Sequence, residues 1–286
     1  MKTGFIIINY NDFESTKKLI DNIASYKVID RILVIDNHST DDSAKLLKKI
    51  KNNKLKIVIS KENGGYSKAI NLGCKAMIND LGKCHIIISN ADIIINSEDD
   101  IKRLISKLDN KKVGVVAPVI FEHGNLNRGW KQPKPWQEVL LNIPYIHRWL
   151  RKKFLYYNQE YYKKKSSPVD VVSGCFFIVD STTIEKINYL DESVFLYYEE
   201  NILSKKLKDI DKICIIDNET KIIHNHSVTI DKSINKLNKY RIQKKSQYYF
   251  EKNYNNASCF CLLMIKATSK ITEKILWLVY KIRDLK

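Results

Sequence analysis

The chain has 286 residues, 44% of them hydrophobic and 28% charged, with only 9 Gly and 5 Pro, so it can bury a substantial core as one large domain or two small ones. It has neither a low-complexity segment nor an internal repeat, which excludes disorder and solenoid architectures. A net charge of +17, from 49 Lys and Arg against 32 Asp and Glu, fits either lysine-filled solvated faces or an anionic partner: nucleotide, nucleic acid or membrane surface.

The first half alternates apolar strands with helical patterns. GFIIIN (4–9) is a continuous apolar run, as expected of a strand buried on both faces, and ESTKKLIDNIASY follows with Leu19, Ile20 and Ile23 at helical spacing. RILVID (31–36) is the second strand. TDDSAKLLKKI is the next helix, with Thr40 as the expected N-cap and acids in its first turn. KIVIS (56–60) is the third strand, and ENGGYSKAINLGCKAMIND turns through two glycines into a helix. HIIIS (85–89), the helix EDDIKRLISKL and the strand KVGVVAPVI complete a pattern that predicts a mainly parallel, doubly wound α/β sheet.

From about 121 to 168 this pattern breaks into an irregular insertion rich in aromatics and Gly/Pro, then basic residues (Arg148, Arg151, Lys152, Lys153, Lys163 to Lys165). Order returns with VDVVSGCFFIVD (169–180), a strand interrupted by Gly174, a short helix (181–187), a helix ending near 208 and two strands, KICIID and TKIIHNH. The remainder, 231–286, reads as a helical, basic extension.

Cys74, Cys84, Cys175, Cys214, Cys259 and Cys261 are scattered without CxxC pairing, and the chain enters its first strand without a signal peptide. Reduced thiols in a cytosol are the expectation. No run reaches the roughly 18 apolar residues of a spanning helix.

Ligands of open α/β sheets sit outside the carboxyl ends of the strands. The exits here are Asn9-Tyr10-Asn11, Asp36-Asn37, Glu62-Asn63-Gly64-Gly65 and Asn90-Ala91-Asp92; three of the four carry a carboxylate. Each Asp has two readings, a turn former or a ligand-binding group. Gly64-Gly65 permits a close backbone approach but is neither GxGxxG nor a P-loop, so phosphate would need a divalent cation or basic side chains.

FIIINYND, VIDNHSTDDS, ENGGYSKAINLG, SNADI, VSGCFFIVD, LDESVFLYYEE and IIHNHSVTI stand in the order and rough spacing of the family-2 glycosyltransferases. Over residues 4 to 230 the chain resembles that family, and more narrowly its bacterial branch building capsule, O-antigen and rhamnose-rich polysaccharides. The resemblance implies a GT-A fold with a catalytic domain over 1–230: a nucleotide-sugar half (1–120), the acceptor-side insertion (121–168) and an acceptor/catalytic half (169–230). It further implies an inverting transfer from a UDP-sugar or dTDP-rhamnose to a lipid-linked (polyprenyl diphosphate) oligosaccharide.

By the same resemblance Asp36 would accept a hydrogen bond from the uracil or thymine base. Asn9, Tyr10, Asn37, Asn63, Gly64, Lys68 and Asn90 would complete the donor site with Asp92. SNAD stands where the family has its DXD-type motif, with Asn90 in place of the first acid, so Asp92 would carry the metal, Mn2+ or Mg2+. His224 or His226 would complete the metal site. Glu200 is the expected base and Glu199 its substitute, since this chain has Glu-Glu where the family has Glu-Asp. For these acids the alternative is a favourable interaction with the helix dipole. Gly174 would leave room for the sugar, and Trp130 and Trp136 would offer an acceptor platform, or else pack in the core.

The C-terminal extension interleaves apolar blocks with Lys and Arg, a pattern that suits either a helix in an anionic membrane interface or packing on the catalytic domain or a second copy. The expected location is the cytoplasm, peripheral at the inner face of the membrane. The rivals are a catalytically inactive homologue and a nucleic-acid-binding protein; the chain has no RRM, helix-turn-helix or zinc-finger pattern, so no nucleic-acid partner is expected.

Overall fold

A computed structural model of the chain describes residues 1–144, 147–225 and 235–283. Its centre is a ten-stranded mixed sheet. The apolar runs form β1 (Lys2–Asn9), β2 (Arg31–Asp36), β3 (Leu55–Ile59) and β4 (Cys84–Asn90), all parallel in the order β3-β2-β1-β4. Side chains alternate between two cores, as the strand period of two requires. Ile6, Ile8, Leu33, Ile35, Ile86 and Ile88 pack on one side, beneath helix α3 (Tyr66–Leu81). Phe5, Ile7, Ile32, Val34 and Ile87 pack on the other, beneath α1 (Phe13–Ile23) and α4 (Glu98–Ser106). Both α1 and α4 are capped by side chains, Asp12 accepting from the Ser15 amide and Ser97 from the Asp100 amide.

Beyond β4 the sheet departs from a uniformly parallel order. β9 (Phe176–Asp180) lies antiparallel between β4 and β6 (Val113–Glu122), and β10 (Ile213–His224) runs parallel to β6. The two-residue strand β5 (Ile93–Ile94) pairs antiparallel with the end of β10, Ile93 opposite His224. β7 (Asn125–Asn127) pairs with β6, and β8 (Ser166–Val169) with β10.

Four expectations are corrected here. KICIID and TKIIHNH form one strand, β10, with a register shift between Asp217 and Lys221 rather than a turn. The strand expected over 169–180 begins only at Phe176; Val171 makes an isolated bridge with Trp130. Helix α2 (Ser43–Leu47) begins after Asp42, not Thr40, because Asn11 engages the Thr40 amide at 2.8 Å from across the strand exits. The 121–168 insertion is largely ordered, with α5 (Pro135–Leu141), where Pro occupies the first helical position, and α6 (His147–Phe154).

Two helices, α7 (Ser181–Lys186) and α8 (Glu199–Lys208), join the core beneath α3 through Ile184, Leu203 and Leu207. The extension forms α9 (Lys236–Asn253) and α10 (Cys259–Arg283). α9 packs on the loop that leads into α8: Ser246 donates to the Leu196 carbonyl at 2.8 Å, and Tyr249 and Tyr254 donate to Asp191 at 2.9 and 2.6 Å. Phe250 is fully buried against Tyr198, Val194 and Ile202.

Truncating Phe250 to Ala should therefore cost about 3–5 kcal/mol, the usual range for a buried Phe. Phe260→Ala, on an exposed face, should stay within about 0.5 kcal/mol. Urea denaturation of both variants distinguishes a clamping α9 from a loosely attached one.

Candidate functional site

The parallel strands deliver their exits to one edge. Asp36 is fully buried there, and its carboxylate accepts from Asn9 Nδ2 at 2.7 Å and from the Ser39 amide and hydroxyl at 2.9 and 2.6 Å. A carboxylate has about four acceptor positions, so a bond from a base would be the fourth. Asn9 is likewise buried, its Oδ1 accepting from Thr16. Asn37 donates to Asn63 Oδ1 at 3.0 Å and to the Gly65 carbonyl at 3.3 Å. These residues form an internal scaffold at the edge, with Tyr10 half-buried beside them. Lys68 is exposed and paired with Glu62 at 2.5 Å, alongside Gly64.

Gly65 starts α3 at φ +90°, and a Cβ there would lie 2.3 Å from the Phe195 carbonyl oxygen. That carbonyl accepts from the Tyr66 amide at 2.9 Å. Glycine thus lets the loop carrying the acid pair sit directly on the start of α3.

The β5–β10 pairing brings a second group of residues together. His224 Nε2 stands 3.1 Å from Asp92 Oδ1, and His224 Nδ1 stands 3.0 Å from Glu122 Oε2. Burial disfavours the imidazolium, but Asp92, Cys175 and Glu122 outweigh it and push its pKa up to about 12. Two ligands each about 2.1 Å from a cation at adjacent positions are about 3 Å apart, so Asp92 and His224 fit as two corners of a divalent site. Glu122 then stands behind the imidazole and fixes its orientation, as carboxylates do behind metal-bound histidines. Among the described residues no group of three or more His, Cys, Asp or Glu is placed to hold one ion together, so further ligands would come from diphosphate and water. His226 lies outside the described residues.

The acid pair opens α8 immediately after Tyr197 and Tyr198, both left-handed at φ +69°. Two successive non-glycine residues in that region store strain. It is held by the Tyr198 hydroxyl on Glu138 at 3.2 Å, by Gln247 on the same carboxylate at 2.7 Å and by Phe250 against the Tyr198 ring. Glu199 is buried and its Oε2 has no hydrogen-bond partner among the described residues; burial and the neighbouring Glu200 push its pKa well up. Glu200 is half-buried, and burial pushes its pKa up to about 7. Burial and mutual proximity thus disfavour ionising both carboxyls at once.

Tyr66 connects the two groups. Its hydroxyl lies 2.7 Å from Asn90 Oδ1 and 2.9 Å from the Gly174 carbonyl. Burial, followed by Cys175, Glu199, Glu200 and Asp92, pushes its pKa well above the ordinary tyrosine value. A Cβ on Gly174 would fit in ordinary van der Waals contact, 3.9 Å from both Glu200 Oε2 and Tyr66 Cε1. Glu200 and Glu122 also line a cavity of about 1960 Å³, walled by Trp130, Arg148, Arg151 and residues of α9 and α10. Trp130 is half-buried and held by paired backbone bonds to Val171; Trp136 is on the surface, edge-on to Phe154.

Sequence reasoning missed Tyr66 and Glu122. Glu122 ends β6, so it obeys the same strand-exit rule as Asp92; Tyr66 had only its place after the glycine pair to mark it.

Known proteins share this fold. Among structures, GalNAc-T7 with UDP, GalNAc and Mn2+ superposes with a TM-score of 0.60 at 13% identity, over 92% of this chain and 56% of that one. The mannosyltransferase PcManGT from Pyrobaculum calidifontis, in complex with GDP-Man and Mn2+, superposes at 0.58 with 12% identity, over 100% and 81%. These neighbours establish the GT-A-like fold. In sequence, the low-salt glycan biosynthesis hexosyltransferase Agl10 of Haloferax volcanii is 26% identical over 197 residues, 69% of this chain and 58% of that protein, so the chain spans little more than half of its relative. The model of glycosyl transferase family 2 matches residues 5–187, more than half of the chain. With the fold, the strand-exit carboxylates and this match in agreement, the chain belongs to glycosyl transferase family 2.

Proposed function

We propose that the chain is a metal-dependent inverting glycosyltransferase that moves a sugar from a UDP-sugar or dTDP-rhamnose to a hydroxyl of a lipid-linked oligosaccharide in bacterial surface-polysaccharide (capsule) synthesis. The observation that carries this reading is the convergence of the Asp92–His224 pair and Glu200 around Tyr66 and Gly174. The family match and the Mn2+ and nucleotide named for the two structural neighbours support it.

Asp92 and His224 are the residues that would hold Mn2+ or Mg2+, and an imidazole ligand favours Mn2+. Such an ion, when bound, neutralises charge developing on the departing diphosphate. Asn90, oriented by the Tyr66 hydroxyl, borders the same space. The acceptor oxygen forms its bond to the anomeric carbon as the bond from that carbon to the diphosphate oxygen breaks, and the electron pair leaves with the diphosphate. Glu200 takes the acceptor proton. One displacement inverts the carbon, so no nucleophilic side chain is required. Burial of Glu199 beside Glu200 disfavours a second negative charge there, so the more exposed Glu200 is the base the geometry favours. A lipid-linked acceptor would place the enzyme at the inner face of the cytoplasmic membrane; no described helix is long and apolar enough to cross it.

Melting temperature against a panel of nucleoside diphosphates, with Mn2+ or EDTA, tests the donor site. UDP or dTDP should raise it only with Mn2+ by mass action, and Asp92→Ala should lose that metal-dependent part. Equal shifts with EDTA would contradict the metal site.

Glu200→Gln should lower turnover by about 10²–10⁴-fold while the donor-induced shift persists. Because Glu200 must be ionised to accept a proton, parent turnover should rise with pH through about 7. A flat profile in the parent, or full activity in Glu200→Gln, would move the base elsewhere.

Gly174→Ala introduces one methyl facing Glu200 without backbone strain. It should leave the melting temperature nearly unchanged and cut transfer by about tenfold or more, the scale of one methyl group in a substrate pocket. Steady-state kinetics beside a thermal scan separates the two effects.

A further inference from the structure

α10 has two unlike sides. One packs on the protein: Ile265 is buried, Tyr240 donates to the Ser269 carbonyl at 3.2 Å, Thr272 donates to the Asn142 carbonyl at 3.0 Å, and Glu273 pairs with Arg241 at 2.6 Å. At 100° per residue the opposite side gathers Phe260, Leu263, Met264, Ile271, Ile275 and Leu278 into one stripe. Folding leaves these large apolar groups in water: Phe260 is 71% exposed, Leu263 65% and Ile271 57%. A continuous stripe of this kind marks an interaction surface, unlike scattered exposed side chains. Lys270, Lys274 and Lys281 run along one border of it, the last over the exposed Trp277 ring.

Across α5 lies α6, whose eight residues include Arg148, Arg151, Lys152 and Lys153 and no acid. Arg148, Arg151 and Lys152 form no ion pair among the described residues, and Trp149 is 68% exposed. Both helices line the cavity that holds Glu200, α6 through Arg148 and Arg151, α10 through Ile275 and Val279. Ile275 therefore belongs to the stripe and to the cavity wall.

We propose that the α10 stripe and α6 together dock on an anionic membrane surface, with the mouth of the Glu200 cavity at headgroup level. The chemistry of the patch selects this occupant. Its apolar stripe, exposed Trp149 and Trp277 and bordering cations match the apolar layer, interface and charge of such a surface. A second copy on a two-fold axis would set this patch against itself, cation against cation. The proposal names the surface through which a lipid-linked acceptor would be reached, and in that respect rests on the function proposed above; vesicle binding itself needs neither donor nor acceptor.

The full chain would be sedimented with vesicles of phosphatidylcholine alone or with phosphatidylglycerol added, at low and high salt. Binding should require phosphatidylglycerol and weaken with salt. Leu263→Glu combined with Ile271→Glu and Leu278→Glu should bind about tenfold or more weakly, with the Mn2+-nucleotide melting shift unchanged. Lys270→Gln with Lys274→Gln, which keeps the stripe, should still bind phosphatidylglycerol vesicles but more weakly than the parent and with a shallower salt dependence. The proposal is overturned if the parent does not sediment with vesicles, or if the triple variant binds as well as the parent. It is also overturned if the parent is a dimer that ignores vesicles and that the triple variant disperses. Loss of the nucleotide shift in the parent would instead count against the transferase reading alone.

Discussion

Three residues far apart in sequence meet because β10 is inserted between β6 and β5. β6 ends at Glu122, β5 begins one residue after Asp92, and β10 ends at His224, which lies opposite Ile93. The sheet hydrogen bonds thus set an imidazole between two carboxylates. A buried imidazole between two half-buried carboxylates is stable only when charge and hydrogen bonding are both satisfied, and here both ring nitrogens have partners. Exchanging the proton for a divalent ion would keep one positive centre in the same place.

The acid pair depends on a different constraint. Tyr197 and Tyr198 occupy a backbone region costing of order 1–3 kcal/mol each for such residues, and the structure offsets this by burial and hydrogen bonding from elsewhere. Glu138 on α5, Gln247 and Phe250 on α9 all converge on Tyr198. Burial holds Glu138 above the ordinary carboxylate range despite Lys244 nearby. Lys244, pressed down to about 8 by burial, donates to Asn142 and Gln247 in the same cluster. The C-terminal helices are therefore part of what aims Glu200.

Between these two groups Tyr66 has a position that only an uncharged phenol tolerates. Its neighbours are carboxylates and a thiol, each opposing ionisation, and its one hydroxyl proton faces Asn90 and the Gly174 carbonyl. The donor-side variant Asn90 has an amide oxygen to accept from it.

Local pattern alone revealed the parallel half-sheet, since continuous apolar runs such as FIIIN mark strands buried on both faces and their exits mark a ligand edge. The strand-exit rule singled out Asp92, whereas Glu199 and Glu200 were singled out by the resemblance to the family's motif, since acids in a first helical turn also suit the helix dipole. Local pattern misplaced the start of α2, where Asn11 reaches across to Thr40, and it split β10, whose bulge at Asp217 resembles a turn in sequence. Tertiary structure alone decided which residues face one another: Glu122 behind His224, Tyr66 beneath Gly174, and Tyr198 under Phe250. Each of these contacts joins positions about 50 to 110 residues apart. Periodicity records which face of an element is apolar, whereas partnership across the sheet depends on strand order and register, which no local spacing encodes.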